Sequence, residues 1–251
     1  MSPLETLVSL DAALEESRNV TYIRYSHGEY NHAKGKGAML FDCIPKYNTE
    51  LIEGMNLKHP DFFRGINGIH ELDENMGPGV FKDTPKQIQE AKDFIRAICD
   101  EENLPDGEIF HSGICFQYCC RFALDQLRAF LRKWVTDQPY DVLFIGSIPG
   151  SKMAEGLQRD ILHLPVPHRN AHENSWQRGG QLLDILEGTK TGIILSAAGF
   201  FTKVIGVWHF KSGSPIPFLD IGSAANAIAG CTGGPYGKYD WIPEDYTWSL
   251  Q

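Results

Sequence analysis

The apolar positions of this chain fall into two alternating rhythms, one helical and one strand-like. Over 3–17, "PLETLVSLDAALEES", they recur every three or four residues, the spacing of a short amphipathic helix. "VTYIRY" (20–25) reads as a strand, and "HPDFFRGING" (59–68) as a second short strand reaching a glycine-rich turn. Residues 71–80 are acidic and carry glycine and proline, which predicts an exposed loop. "TPKQIQEAKDFIRAICDEEN" (84–103) has a Thr N-cap, Pro at the first helical position and helical periodicity. "EIFHSGICFQY" (108–118) begins as a strand, and "RFALDQLRAFLRKWV" (121–135) is patterned as one amphipathic helix.

The second half is more regular. "DVLFIG" (141–146), "LHLPVP" (162–167), "GIILSAAG" (192–199) and "IPFLDIGSA" (216–224) are short apolar runs, the first of them bounded by turn residues. Such runs suit strands buried on both faces. Between them lie helical stretches at 151–161, 174–188, with a stop at Gly188, and 200–213. Strand and helix in alternation predict an α/β fold: a mostly parallel sheet with helices on both faces. No internal repeat, low-complexity tract or linker interrupts the chain, so residues 1–251 are expected to form a single domain.

Composition narrows the function classes. The 251 residues are 42% hydrophobic and 22% charged, ordinary values for a chain with a sizeable core. The net charge of −9, with no lysine- or arginine-rich run, argues against nucleic acid or an anionic membrane as partner. The six cysteines (Cys43, Cys99, Cys115, Cys119, Cys120 and Cys231) form no CxxC pair and no regular disulfide spacing. Cys115, Cys119 and Cys120 sit in an aromatic run, where free cysteine acts as a small hydrophobe. A reducing compartment follows. There is no basic region followed by an apolar one at the N-terminus, and no apolar run of bilayer length. A soluble, cytoplasmic protein is expected.

Ligands of open parallel sheets bind beyond the carboxyl ends of the strands, so the residues leaving each strand carry the candidate chemistry. The first strand delivers Arg24, His27 and Glu29; 141–146 delivers Gly146 and Ser147. The 162–167 strand delivers His168, Arg169, Asn170 and His172, with Pro165 and Pro167 fixing the backbone. Ala198 and Gly199 end the 192–197 run, Lys203 follows one turn later, and the last strand gives Asp220, Gly222 and Ser223. "FIGSIPG" lacks the G-x-G-x-x-G dinucleotide fingerprint, and the phosphate-loop pattern G-x-x-x-x-G-K-[ST] is absent. His27-x-Glu29 can bind a divalent metal or handle protons; equally, Glu29 can cap the next helix or pair with Arg24. Asp220 is as well suited to capping a helix as to catalysis.

As an ordered set these segments resemble the GT-D-type glycosyltransferases and related bacterial and viral glycosyltransferases. The first strand of that group ends in R-[FY]-G-D-G-E; here it is "RYSHGE" (24–29). A V-P-x-x-N-A segment matches "VPHRNA" (166–171), an apolar strand runs into a small-residue turn and helix in "IILSAAGFFTKVI" (193–205), and a final D-I-G-[HS] matches "LDIGSA" (219–224). The resemblance spans 20 to about 240. It implies a Rossmann-like sheet and a hexosyl- or pentosyltransferase. A nucleotide-diphosphate sugar, commonly a UDP-sugar, would be the donor and a hydroxyl of a glycan or glycoprotein the acceptor. It implies Glu29 or His27 as the base, Asp220 in reserve, and donor contacts from Arg24, Gly146, Ser147, Arg169, Asn170, Ser196, Ala198, Gly199, Lys203, Gly222 and Ser223. It also implies Mn²⁺ or Mg²⁺ at Glu29 with His27, but His27 stands where the group has aspartate, and these ions favour oxygen ligands. Two other readings remain open: a methyltransferase binding S-adenosylmethionine through "FIGSIPG", and a nucleotide-sugar-binding protein without turnover.

Overall fold

A computed structural model of the chain describes residues 1–16, 19–26, 29, 32, 47–66, 89, 93, 110–231, 233–234, 237–238, 242 and 246–250. Seven strands form one sheet: β1 (Thr21–Tyr25), β2 (Phe62–Ile66), β3 (His111–Ser112), β4 (Asp141–Gly146), β5 (Leu162–Pro165), β6 (Thr191–Ala197) and β7 (Phe218–Asp220). Their order is β3-β2-β1-β7-β6-β4-β5, and every pairing is parallel. The expected parallel sheet is therefore present. The chain starts near the middle, moves out to one edge and crosses to the other side. It then returns to lay its last sheet strand beside its first.

Side-chain alternation sorts the core into two layers. Tyr22, Val142, Phe144, Ile193, Leu195 and Leu219 join one cluster; Ile23, Tyr25, Leu143, Ile145, Ile194 and Phe218 join the other. The first layer is covered by α1 (Pro3–Glu15), α3 (Cys115–Phe122), α4 (Leu124–Leu131), α5 (Gly150–Leu157) and α8 (Ala224–Ile228). The second is covered by α2 (Asn48–Asn56), α6 (Ser175–Gly188) and α7 (Phe200–Lys211). Helix α7 lies close over β1: a Cβ on Gly206 would come within 2.2 Å of Ile23 Cδ1.

Helix α1 begins as its sequence dictates. Ser2 accepts from the Glu5 N–H, the Glu5 carboxylate accepts from the Ser2 N–H, and Pro3 occupies the first turn. Cys115, Cys119 and Cys120 are buried on α3 as free thiols, as their aromatic surroundings suggested.

Three segments differ from expectation. The helix over 121–135 is broken at Ala123 (φ −142°, ψ 47°), where α3 ends and α4 begins; residues 132–136 form a π-helical turn. The last strand is three residues long rather than nine. Ser196 O accepts from both Ile221 N and Gly222 N, Gly222 turns at φ +49°, and the alanines beyond become α8. The 162–167 strand ends at Pro165, which donates no hydrogen bond. The acidic loop over 71–80 lies outside the described residues, as does most of the helix expected over 84–103.

The chain end returns to the first layer, where Trp248 Nε1 donates to Gly156 O at 2.7 Å and Leu250 is buried. Gly156 also sets how closely α5 and α8 approach, because a Cβ there would stand 1.9 Å from Ile228 O. That contact is with backbone and cannot rotate away. Gly156→Ala should destabilise the protein by about 1–3 kcal/mol, the usual cost of overpacking. Urea denaturation measures this directly, and an unchanged midpoint would show that α8 moves freely.

Candidate active site

The helices following neighbouring strands diverge at two places in this sheet. After β1 the chain reaches α2 on one face, and after β7 it forms α8 on the other. Likewise β6 leads to α7 and β4 to α5, on opposite faces. Such divergence opens a crevice at the carboxyl ends of the strands. Both crevices fall where the sequence places its polar residues.

The first crevice holds four charged side chains, all largely buried. Asp220, at the end of β7, is at its centre. Its Oδ2 accepts from Lys203 Nζ at 2.7 Å and from Arg24 N at 3.2 Å; its Oδ1 accepts from Gly222 N at 3.1 Å. Arg24 Nε lies 3.6 Å from the same Oδ1. Glu29 approaches from the segment after β1, with Oε1 3.7 Å from Lys203 Nζ. Its Oε2 accepts from Ser26 N at 2.8 Å and Ser26 Oγ at 2.7 Å. Two carboxylates therefore face one ammonium. Asp220, Glu29 and Lys203 side chains are 2%, 4% and 5% exposed, while Arg24 is the most accessible of the four at 11%.

The place of the Arg24 guanidinium depends on a glycine. Gly222 sits at φ +49°, a conformation disfavoured for side-chain-bearing residues, and a Cβ there would fall 2.4 Å from Arg24 Cζ. The guanidinium thus rests on the Gly222 backbone. Its Nε and Nη1 are buried and make no hydrogen bond among the described residues. Buried donors without acceptors are costly in a folded protein, and they mark a place where an acceptor is expected.

The second crevice is smaller. The turn after β6 is closed by Thr202, whose Oγ1 bonds Ser196 Oγ at 2.8 Å and accepts from Ala198 N at 3.0 Å. Gly199 precedes α7 at φ +59°, with open space where a Cβ would stand. Across from it, Ser147 Oγ and His168 Nδ1 are 3.2 Å apart and exposed. Partial desolvation of the ring lowers the His168 pKa from its ordinary value, so its neutral form persists to lower pH. Arg169 is exposed, and Asn170 turns the chain at φ 55°. β1 and β4 are three strand spacings apart, on the order of 14 Å at about 4.8 Å per spacing.

The structure therefore brings Arg24, Glu29, Lys203, Asp220 and Gly222 together, and sets Ser147, Arg169 and Asn170 apart from them along the same edge. Gly146 serves packing: a Cβ there would strike the Phe144 ring at 2.4 Å, and its carbonyl accepts from Val166 N. The Ser196 hydroxyl is turned to Thr202, and Ser223 Oγ accepts from Gln117 Nε2 at 3.3 Å. His172 is fully buried with His32, Tyr47 and Phe200 around it. His27 lies outside the described residues. Sequence reasoning passed over Ser26 and Thr202. Ser26 had a signal, since Ser26-x-x-Glu29 matches the S-x-x-E capping pattern and its N–H does bind Glu29. Thr202 had none.

The carboxylates are already occupied. Lys203 stands between them, and backbone or hydroxyl donors hold Glu29 Oε2 and both Asp220 oxygens. A divalent ion bridging Glu29 and Asp220 would need the place of Lys203 Nζ. Among the described residues no group of three or more His, Cys, Asp or Glu side chains is gathered for a metal.

No family model matches the chain, and no curated protein matches it. Solved structures do. One, described as a new glycosyltransferase (DUF1792) from Streptococcus sanguinis, superposes with a TM-score of 0.67 at 18% identity, covering 90% of this chain and 81% of the other. A second, described as a highly conserved domain of unknown function 1792 with a distinct glycosyltransferase fold, gives 0.63 at 14% identity, covering 90% and 78%. At these identities the likeness is one of fold. It agrees with the GT-D-like, Rossmann-like architecture that the ordered motifs imply.

Removing Asp220 should be costly, because Lys203 and Arg24 would stay buried without their shared counter-charge. Asp220→Ala is expected to lose about 3–5 kcal/mol in urea denaturation. A loss below about 1 kcal/mol, typical of an exposed ion pair, would mean the cluster is solvated.

Proposed function

We propose that the protein is a glycosyltransferase, moving a sugar from a nucleoside-diphosphate sugar to a hydroxyl on a glycan or glycoprotein. A UDP-sugar is the donor favoured by the motif resemblance. The observation that carries the reading is Arg24. It is a buried guanidinium with unused donors at a strand-end crevice, in a fold shared with a protein described as a glycosyltransferase. Guanidinium groups bind phosphate oxygens through strong charge-assisted hydrogen bonds.

In this reading the diphosphate lies against Arg24 and runs along the sheet edge toward Ser147, Arg169 and Asn170. The small turn over Ser196–Gly199 lets the ligand pass close to the backbone. Glu29 is the base, with His27 as a second candidate and Asp220 in reserve. The Glu29 carboxylate takes the acceptor proton, the acceptor oxygen forms its bond to the anomeric carbon, and the bond from that carbon to the phosphate oxygen breaks. The nucleoside diphosphate leaves with the electron pair, and Arg24 meets its charge. Asp220, whose oxygens are all engaged, orients Arg24 and Lys203. The four described cysteines are free thiols and no helix among the described residues is long and apolar enough to cross a membrane. A cytoplasmic site of action belongs to this reading on the free thiols alone, since disulfides are rare in that compartment.

Thermal unfolding with UDP, GDP, CDP, UDP-sugars and S-adenosylmethionine tests the assignment. Ligand at about 100 times its dissociation constant should stabilise the protein by about 2.7 kcal/mol. A shift with UDP and UDP-sugars that Arg24→Ala removes is the expected result. A shift with S-adenosylmethionine alone would overturn it in favour of methyl transfer.

Glu29→Gln separates binding from chemistry. The variant should keep the UDP-sugar shift while transfer slows by about 10²–10⁴-fold, the usual contribution of a positioned base. Unchanged turnover would move the base to another residue.

A further inference from the structure

Resting on the glycosyltransferase reading, we infer that Lys203 is the resident cation of this site and that donor binding requires no divalent metal. The ammonium lies between two carboxylates, 2.7 Å from Asp220 Oδ2 and 3.7 Å from Glu29 Oε1. That is where a bridging metal would have to bind. The lysine is not a mobile surface chain that yields its place readily. It projects from the first turn of α7, is 5% exposed, and has buried Phe200, Phe201, Thr202 and Val204 as its helix neighbours.

The remaining donors reinforce the arrangement. Ser26 N and Oγ take Glu29 Oε2, Arg24 N shares Asp220 Oδ2, and Gly222 N takes Asp220 Oδ1. Mg²⁺ needs a near-octahedral set of oxygens, and while Lys203 Nζ stands between the two carboxylates an ion cannot reach both of them. Among the described residues the cluster has two carboxylates and two cations, whose charges balance without a metal. A diphosphate arriving at Arg24 then meets a second fixed positive charge in Lys203, held in register by the same Asp220. Fixed charges of this kind act on developing negative charge without reorganising.

Mn²⁺ is the probe, and its electron paramagnetic resonance signal is the first readout. With the full chain and no nucleotide, Mn²⁺ should remain in solution. One bound ion per chain, lost in Glu29→Gln, would overturn the inference whether or not any nucleotide binds. The second readout is the UDP-dependent thermal shift, which should be the same in EDTA as in Mn²⁺. Loss of that shift in EDTA would also overturn it. Lys203→Met removes the charge at similar length; it should lose the metal-free UDP shift and regain it with Mn²⁺, as the ion enters the vacated place. If that variant fails to fold, the wild-type measurements still decide. If no nucleotide shifts the wild type, the functional reading fails while the Mn²⁺ measurement stands.

Discussion

One buried carboxylate ties this structure together at its working edge. Asp220 is 2% exposed, and an ionised group that far from water survives only when it is paired and hydrogen-bonded. Its partners come from three separate parts of the chain: the backbone and side chain of Arg24 on β1, the ammonium of Lys203 on α7, and the backbone of Gly222. Satisfying one aspartate therefore fixes the end of the first strand, the start of a helix and the turn into α8. The glycine at 222 follows from the same requirement, since any side chain would displace the guanidinium.

The sheet order makes this convergence possible. Because the chain returns to lay β7 beside β1, residues from opposite ends of the sequence become neighbours at the centre of the sheet. α2 and α8 cover different faces of the sheet, so the chain leaves neighbouring strands in opposite directions at this point. The core supplies the rigidity. Phe200, Phe201 and Val204 hold the first turn of α7 in the second layer, which keeps Lys203 from drifting away from its carboxylates. Packing and electrostatics are coupled here: the same helix turn is apolar on most sides and charged on one.

A fold shared with solved structures at 14–18% identity constrains architecture far more than chemistry. Function has to be argued from the residues at the strand ends. Those residues show a division of labour. Arg24 has donors without acceptors among the described residues, Asp220 has both oxygens hydrogen-bonded, and Glu29 lies between them, one oxygen held by Ser26 and the other facing Lys203.

The alternation of apolar and polar positions was enough to read β1, β4, β6, α6 and α7 within a few residues, because strand and helix periods are local properties of the chain. It also marked Arg24, Glu29, Lys203 and Asp220 individually, since each leaves an apolar segment. What it did not contain was their meeting. Arg24 and Asp220 are 196 positions apart, and their contact depends on strand order, which no local period encodes. Tertiary structure likewise reassigned the small residues: the Phe144 ring excludes a side chain at Gly146, Thr202 takes the Ser196 hydroxyl, and Ser196 O halts the last strand at Asp220. It also broke one helix at Ala123, so that residues on both sides of the break reach the same core. The sequence by itself determined which residues carry charge at strand ends and which faces are apolar. Only the folded chain decided which of those charges share a counter-ion, because that depends on long-range packing that brings distant segments within hydrogen-bond distance.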